Sequence, residues 1–219
     1  MLDVLLPERC AICSAPGAAL CRVCRDELTR LAPPVCERCG SPGPWPVRRC
    51  AECAGRRLAF AEARAAIVYD RRARSFVQAW KERGRRSLAV EAAGLVAEVV
   101  PRPDVDCLVP VPGDPERAWK RGDVPPRRLA AELGRTWAIE VADLLVRTKT
   151  LPHQRGLSLE ERRRNVRGSV GLRRPEVPRT ACVVDDVYTS GATVDACAAA
   201  LRRGGTRRVS AVTLARAVR

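Results

Sequence analysis

The sequence has little histidine and few aromatic residues. Its 219 residues include one histidine, four tryptophans, two tyrosines and two phenylalanines. A single histidine excludes metal sites built from several histidines and mechanisms that need two catalytic histidines. Scarce rings also argue against a surface on which many nucleic-acid bases stack. The tryptophans expected to be exposed are Trp45, Trp119 and Trp137.

Several familiar signatures are missing as well. No apolar run approaches the roughly 18 residues that a membrane span needs, and the first residues lack the basic and apolar regions of a signal peptide. The G-x-x-x-x-G-K-[ST] motif is absent, which excludes P-loop NTPase chemistry. These absences predict a soluble, cytoplasmic protein without a membrane partner.

Positive charge dominates the sequence. There are 40 Lys and Arg residues against 25 Asp and Glu residues, a formal net charge of +15. Such an excess favours contact with nucleic-acid phosphates. Because the basic residues are spread along the chain, they do not mark a single groove. Any binding of single-stranded DNA is therefore expected to depend on salt-sensitive phosphate contacts.

Eight of the 11 cysteines form four C-x-x-C pairs near the start of the sequence. The pairs are Cys10/Cys13, Cys21/Cys24, Cys36/Cys39 and Cys50/Cys53. This spacing lets two thiolates on one tight turn face one ion, and two pairs complete a tetrahedral, all-cysteine zinc site. The near-repeat favours two consecutive sites, although interleaved pairing fits the spacing too. With four thiolates per site, each zinc would be structural.

Two alternatives to zinc exist for these cysteines. A disulfide framework is disfavoured in a cytosolic protein, where thiols stay reduced. Redox chemistry would need one C-x-x-C motif rather than four. The other three cysteines, Cys107, Cys182 and Cys197, lie in apolar surroundings and are expected to be buried.

The residues after the cysteine pairs alternate between strand and helix patterns. Strands are predicted at 65–69, 105–109, 143–146, 180–184 and 208–214. Helices are predicted at 74–83, 88–99, 127–138, 158–166 and 192–203. Apolar strands interleaved with helices predict an α/β domain, with a parallel sheet flanked by helices, at 58–219. A small double zinc-ribbon domain is predicted at 1–57.

The segment from Ala181 to Thr193 is the clearest candidate site. Ligands bind at the carboxyl ends of strands in open α/β sheets. Backbone N–H groups, hydroxyls and a helix dipole suit a phosphate at Thr189, Ser190, Gly191, Ala192 and Thr193. Asp185 and Asp186 suit sugar hydroxyls or a share in holding Mg²⁺.

Together these groups predict a site for a ribose 5-phosphate. The alternative is an ordinary strand–turn–helix unit with an acidic cap. Asp195, in the first turn of the helix, would oppose a phosphate if it faced the loop.

This pattern resembles the phosphoribosyl diphosphate (PRPP) binding motif of type I phosphoribosyltransferases, an apolar strand followed by Asp-Asp and Thr-Ser-Gly-x-Thr. The whole sequence is similar to the ComF family of competence-associated proteins, which join C-x-x-C ribbons to a phosphoribosyltransferase-like domain. The other matching segments are Trp80-Lys81-x-x-Gly84, Asp106-Cys-Leu-Val-Pro-Val-Pro112, Lys120-Arg121-Gly122, Arg147-x-Lys-Thr150, Gln154, Leu157 and Arg162-x-x-Asn165-Val166-x-Gly168. One departure is Asp123-Val-Pro-Pro126, where the family has Phe-Asn-Gln.

The resemblance implies a type I phosphoribosyltransferase-like sheet and a role for each matching residue. Asp185 and Asp186 would hold the ribose hydroxyls, and the Thr189 to Thr193 loop would hold the 5-phosphate. The turn containing Val111 and Pro112 would lie where the family fold places its pyrophosphate loop. The residues implied to form a mobile segment over the site are Arg147, Gln154, Arg162 and Asn165.

Cations would stabilise the charge that collects on departing pyrophosphate, together with Mg²⁺. The candidates are Lys81, Arg121 and Arg147, and the alternative for each is a solvated surface charge. His153 is expected in an exposed loop without a catalytic role.

Two functions remain open from the sequence. One is Mg²⁺-dependent transfer of phosphoribose from PRPP to an acceptor, with release of pyrophosphate. The alternative is a catalytically silent protein that binds single-stranded DNA or docks a DNA-uptake translocase through its basic surface and zinc ribbons. The family resemblance implies a role in natural competence in either case.

Overall fold

A five-stranded parallel sheet forms the centre of the molecule. The computed structural model describes residues 8–82, 85, 87–113, 124–148 and 168–218. The strands are β1 (Glu62–Val68), β2 (Cys107–Pro110), β3 (Glu140–Val141), β4 (Leu145–Arg147), β5 (Val170–Leu172), β6 (Thr180–Tyr188) and β7 (Arg208–Arg216). The sheet has the order β1-β7-β6-β2-β3, and all its neighbours are parallel. The predicted α/β fold is confirmed.

The helices cover both faces of this sheet. They are α1 (Arg22–Asp26), α2 (Arg71–Glu82), α3 (Leu88–Val99), α4 (Pro125–Trp137) and α5 (Ala192–Arg203). One face buries α2, α3 and α4 against residues such as Cys182 and Val184. The other face buries α5 against residues such as Ala181 and Val183. No helix among the described residues has the length and apolar character needed to span a bilayer.

Strand order reverses between β2 and β6. The connection from β2 to β3 runs through α4 on one face, and the connection from β6 to β7 runs through α5 on the other. Such a reversal leaves a crevice at the carboxyl ends of the two central strands, where open α/β sheets bind ligands.

The two cysteine ribbons lie on opposite faces of the sheet, on either side of edge strand β1. Cys10 and Cys24 are buried with α2 and α3, whereas Cys36 and Cys53 are buried with α5. The ribbon segment at Thr29–Leu31 also bonds to β1. The Leu31 N–H donates to the Ala66 carbonyl at 2.8 Å, and the Val68 N–H donates to the Thr29 carbonyl at 2.9 Å. The ribbons therefore cover a strand edge that would otherwise be open to pairing.

Most element boundaries agree with the sequence expectations, and the differences have local causes. Helix α2 begins before the predicted residue 74 because the Asp70 carboxylate accepts the Ala73 N–H at 2.9 Å. Strand β6 was expected to end at residue 184 but continues to Tyr188, because β7 pairs with it that far. The antiparallel pair β4–β5 was not predicted. The predicted helix 158–166 lies outside the described residues.

The tryptophan expectations were partly wrong. Trp137 is only 7% exposed because it ends α4 and packs into the first core. Trp45 is 65% exposed, as expected, and Trp119 lies outside the described residues.

The unusual Val124–Pro126 segment begins α4, with prolines in its first turn, where a missing N–H costs no helical bond.

Candidate functional site

Two buried carboxylates lie at the carboxyl end of the central strand. Asp185 is 8% exposed and Asp186 is 5% exposed, and both belong to β6 beyond the point where β2 ends. The Asp186 N–H donates to Oδ1 of Asp185 at 2.9 Å. Burial and then the neighbouring Asp186 charge raise the pKa of Asp185 to about 7, against the opposing effects of Lys81 and Arg147. Acids so placed store electrostatic strain that a ligand can relieve.

Lys81 pairs directly with this acid pair. It lies in the last turn of α2, and its Nζ is 2.6 Å from Oδ2 of Asp186. Burial lowers the pKa of Lys81, but Asp186 outweighs burial, so the net shift is upward and the ammonium is retained. The alternative of a solvated surface charge does not apply to Lys81.

Arg147, the last residue of β4, brings the end of a third strand next to the ends of β2 and β6. Its Nε donates to the Pro112 carbonyl at 3.1 Å, just beyond β2. Its charge also lowers the pKa of Asp185, against the dominant effect of burial. Val111 is buried and extends the ladder by donating to the Val184 carbonyl at 2.9 Å. The ends of β2, β4 and β6 thus meet around Asp185.

The loop from Thr189 to Thr193 leads from β6 into α5. Gly191 has φ of 72°, a left-handed conformation, and a Cβ there would overlap the Tyr188 phenol. The Ser190 hydroxyl accepts the Ala192 N–H at 3.3 Å. One of the N–H groups expected to face a phosphate is therefore already bonded. Thr189 and Thr193 remain partly exposed.

The Asp195 carboxylate does not face the loop, where it would repel a phosphate. Its Oδ1 accepts the Ala59 N–H at 2.7 Å, so this carboxylate turns toward the chain that leaves the second ribbon.

Four of the sequence candidates cannot be placed against the acid pair. Arg121, Gln154, Arg162 and Asn165 all lie outside the described residues, as does His153.

The eight ribbon cysteines form two sequential clusters. The members are Cys10, Cys13, Cys21 and Cys24 in the first cluster, and Cys36, Cys39, Cys50 and Cys53 in the second. Within each cluster all sulfurs lie within 4.8 Å of one another. The distance is 3.7 Å for Cys13–Cys21 and 3.5 Å for Cys39–Cys50. Four sulfurs about 2.3 Å from a zinc ion are separated by about 3.8 Å, so both clusters fit tetrahedral zinc.

In each cluster, backbone donors favour ionisation of one thiol, whereas burial and the neighbouring cysteines raise the pKa of Cys24 and Cys53. Burial opposes ionisation of Cys10, but nearby backbone N–H groups outweigh it and lower its pKa to about 6. The same balance lowers the pKa of Cys36 to about 7, and the Cys50 N–H lies 3.3 Å from its sulfur. Zinc binds thiolates rather than thiols. The donor set therefore suits two closed, structural zinc sites.

Two residues that the sequence reasoning missed connect the second cluster to the loop. Arg216, at the end of β7, is 1% exposed and donates to the Cys39 carbonyl at 2.7 Å. Its guanidinium lies 4.4 Å from the Tyr188 ring centroid. The available signal was an arginine flanked by alanines where the last strand ends.

A separate basic cleft lies beside α5. Its volume is about 650 Å³, and it is bounded by 55–59 on one side and by the outer face of α5 on the other. Arg56, Arg57 and Arg203 line it, whereas neither carboxylate of the acid pair does. The cleft does not include the acid pair, although it also contains Asp195 and adjoins the Thr189 to Thr193 loop through Ala192.

The Lys81–Asp186 pair predicts a measurable coupling. Lys81→Met is expected to lower the free energy of unfolding by about 1–2 kcal/mol, allowing for the partial exposure of the lysine. Combined with Asp186→Asn, it should cost less than the two single changes added together. Urea unfolding of the four proteins measures this. The matched control is the exposed Arg127–Asp143 pair, 3.6 Å apart, whose coupling should be near zero. Additive costs at Lys81 and Asp186 would contradict the pairing.

Comparison with known proteins shows what this chain is similar to. Residues 1–56 match the double zinc ribbon domain. DNA utilization protein YhgH of Salmonella typhi is 28% identical over 228 residues, which cover 96% of this chain and 98% of that protein. Competence protein F of Haemophilus influenzae is 34% identical over 116 residues, which cover 51% of each protein. The crystal structure of TT1426 from Thermus thermophilus aligns with a TM-score of 0.35 and 17% identity over 60% of this chain and 83% of that chain. Its two cysteine clusters, its parallel α/β fold, its double zinc ribbon match and its end-to-end similarity to YhgH confirm the predicted resemblance to the ComF family.

Proposed function

We propose that the crevice between β2 and β6 binds PRPP or a related ribose 5-phosphate and positions it for phosphoribosyl transfer. The observation that carries this proposal is a buried acid pair, only partly neutralised by Lys81, directly ahead of a glycine-containing turn. A purely structural acid pair would be more fully compensated, because uncompensated burial of charge is costly. A ligand with several hydroxyls and a phosphate would contact both the acid pair, through its hydroxyls, and the glycine-containing turn, through its phosphate.

Each half has its own task in this proposal. The partly exposed hydroxyls of Thr189 and Thr193, with the positive end of α5, hold the 5-phosphate. Asp185 and Asp186 accept hydrogen bonds from the ribose hydroxyls. These bonds are stronger to ionised carboxylates, so sugar binding favours loss of the Asp185 proton.

The leaving group lies toward Arg147. In the transfer, the bond from ribose C1 to the pyrophosphate oxygen breaks, its electron pair goes to pyrophosphate, and a new bond forms between C1 and the acceptor. Arg147 lies at the end of β2 through its bond to Pro112 and offers charge to pyrophosphate. The free carboxylate oxygens are of the type that Mg²⁺ prefers, and bound Mg²⁺ would neutralise part of the diphosphate charge.

Calorimetric titration with PRPP and Mg²⁺ tests this proposal. The wild-type protein is expected to bind PRPP, and ribose 5-phosphate should compete for the same site. Asp143→Asn is the control for changes to the acid pair and should bind PRPP as the wild type does. The Asp143 carboxylate pairs with surface arginines outside the crevice. An absence of heat and of competition at millimolar PRPP would overturn the proposal. A screen for pyrophosphate release then separates transfer from binding alone.

We also propose a role in competence or DNA utilization, for which the names of the relatives are the support. The basic cleft beside α5 favours direct contact with single-stranded DNA. Arg56, Arg57 and Arg203 line it, and Trp45 in the second ribbon is exposed for base stacking.

Salt dependence tests the role of the cleft in DNA binding. Replacing Arg56, Arg57 and Arg203 together with Gln should flatten the slope of log affinity against log salt by about 2, because each phosphate contact on a single strand contributes about 0.7. Fluorescence anisotropy with a labelled oligonucleotide at several salt concentrations measures the slope. The control replaces the exposed arginines Arg22, Arg71 and Arg174. Equal slopes in the two triple variants would show that the cleft does not bind the phosphates.

A further inference from the structure

A buried arginine joins the second cysteine cluster to the candidate ligand loop. Arg216 donates through Nη1 to the Cys39 carbonyl at 2.7 Å, and its Nη2 lies 3.6 Å from the Cys39 sulfur. Nη2 also pairs with the Glu52 carboxylate. Every one of these partners belongs to the second ribbon, while Arg216 itself belongs to β7. The guanidinium therefore ties the ribbon to the central sheet.

The same guanidinium holds Tyr188. It lies over the Tyr188 ring, 4.4 Å from the centroid, and Phe60 packs edge-on against that ring with centroids 6.4 Å apart. Tyr188 immediately precedes the loop, and its phenol occupies the space where a side chain at position 191 would lie. The position of Tyr188 therefore determines how the Gly191 turn can pack.

We propose that Arg216 is a positioning residue that makes the order of the Thr189 to Thr193 loop depend on metal in the second cluster. A zinc ion with four thiolates carries a net negative charge, which the buried guanidinium partly balances. When the metal leaves, the four sulfurs are no longer held on one ion and the cluster loosens. Arg216 then loses partners for a buried charge, which is costly, and its hold on Tyr188 weakens.

Among the described residues, no arginine connects the first cluster to Tyr188. Its ribbon is tied to α3 instead, where Arg25 pairs with Glu91 at 2.8 Å and Arg30 pairs with Glu98 at 3.3 Å. These contacts lie on the opposite face of the sheet from Tyr188. Loss of metal from the first cluster should therefore leave the loop ordered.

If the order of the loop depends on metal in the second cluster, that metal also regulates ligand binding at the loop. This consequence rests on the proposed PRPP site. An oxidant or chelator that removes the second metal would lower ligand affinity without touching a ligand-binding side chain.

Hydrogen exchange at the loop tests the coupling without any ligand. Peptides spanning 186–195 are compared with peptides from α3, which serve as the internal reference, and native mass spectrometry counts the bound zinc. Cys50→Ser and Arg216→Gln are expected to speed loop exchange about tenfold or more relative to α3. Cys21→Ser in the first cluster and Arg30→Gln should leave the loop at the wild-type rate. Arg216→Lys keeps the charge without the planar fork and should lie between wild type and Arg216→Gln.

The outcomes separate this coupling from the proposed function. Wild-type loop exchange in Arg216→Gln, with or without zinc loss, would overturn the coupling. Equal acceleration in the loop and in α3 would do the same, because it indicates a merely structural role. Should Cys50→Ser unfold the whole chain, the graded Arg216 variants still decide. Failure of the wild-type protein to bind PRPP would overturn only the proposed function, since loop exchange is measured without ligand.

Discussion

Asp185→Asn is expected to weaken PRPP binding and, at pH 8, to stabilise the free protein. Affinity should fall roughly ten- to a hundredfold, because the change removes a charged acceptor of the ribose hydroxyls. Stability should rise because a buried carboxylate beside Asp186 no longer has to be ionised. Asn can still accept the Asp186 N–H through Oδ1, so the local hydrogen bond at 2.9 Å is preserved.

The pH dependence gives this prediction its sign. Burial and Asp186 raise the pKa of Asp185 from 3.8 to about 7 in the folded protein. Between these values the folded state holds a proton that the unfolded chain releases, so stability falls as pH rises from about 4 to 7. The gain from Asp185→Asn should therefore be absent near pH 4 and reach at most about 4 kcal/mol above pH 7.

Thermal and urea unfolding between pH 4 and pH 8 check the stability, and calorimetry checks the binding. Asp143→Asn is the matched control and should change neither PRPP affinity nor the pH profile. If Asp185→Asn were less stable than wild type at pH 8, the acid pair would be a structural feature rather than a strained ligand site.

Removal of the second zinc site is expected to have the other large effect. Cys36→Ser should lower the melting temperature by at least about 10 °C, because a structural zinc contributes several kcal/mol or more to folding and each kcal/mol shifts the transition by about 2–4 °C. The effect should extend beyond the ribbon, since Cys36, Cys39 and Cys53 are buried in the same core as α5.

Differential scanning calorimetry with zinc analysis by mass spectrometry measures this effect. Cys107→Ala is the control, because Cys107 is buried at the start of β2 and belongs to neither cluster. It should keep two zinc ions and cost only about 1 kcal/mol or less through the lost sulfur contacts. If Cys36→Ser melted as wild type does, the second cluster would not be a structural metal site.

Features set by nearby residues could be predicted from the sequence. Helix α5 was expected at 192–203 and lies there, because Gly191 precedes it, Gly204 follows it and its apolar residues recur at helical spacing. The C-x-x-C pairs also follow from spacing, since each turn is local. Spacing favoured sequential grouping of these pairs but left interleaved grouping open, and the structure shows the sequential one. The order of strands and helices followed from alternation of apolar runs.

Features set by distant residues could not be predicted. The contact of Lys81 with Asp186 depends on how α2 packs against the sheet, which no local pattern encodes. The extension of β6 to Tyr188 depends on the length of its neighbour β7. Placement of the ribbons on opposite faces, and the burial of Arg216 between cluster and sheet, likewise arise only when remote segments meet.

A crystal structure of the wild-type protein with PRPP and Mg²⁺ tests the central claim most directly. We expect the 5-phosphate at the N-terminus of α5, in contact with the hydroxyls of Thr189 or Thr193, and the ribose hydroxyls within hydrogen-bond distance of Asp185 and Asp186. Density for PRPP at any other surface would contradict the account. So would an ion pair between Lys81 and Asp186 that persists at saturating PRPP and leaves no sugar contact to the acid pair.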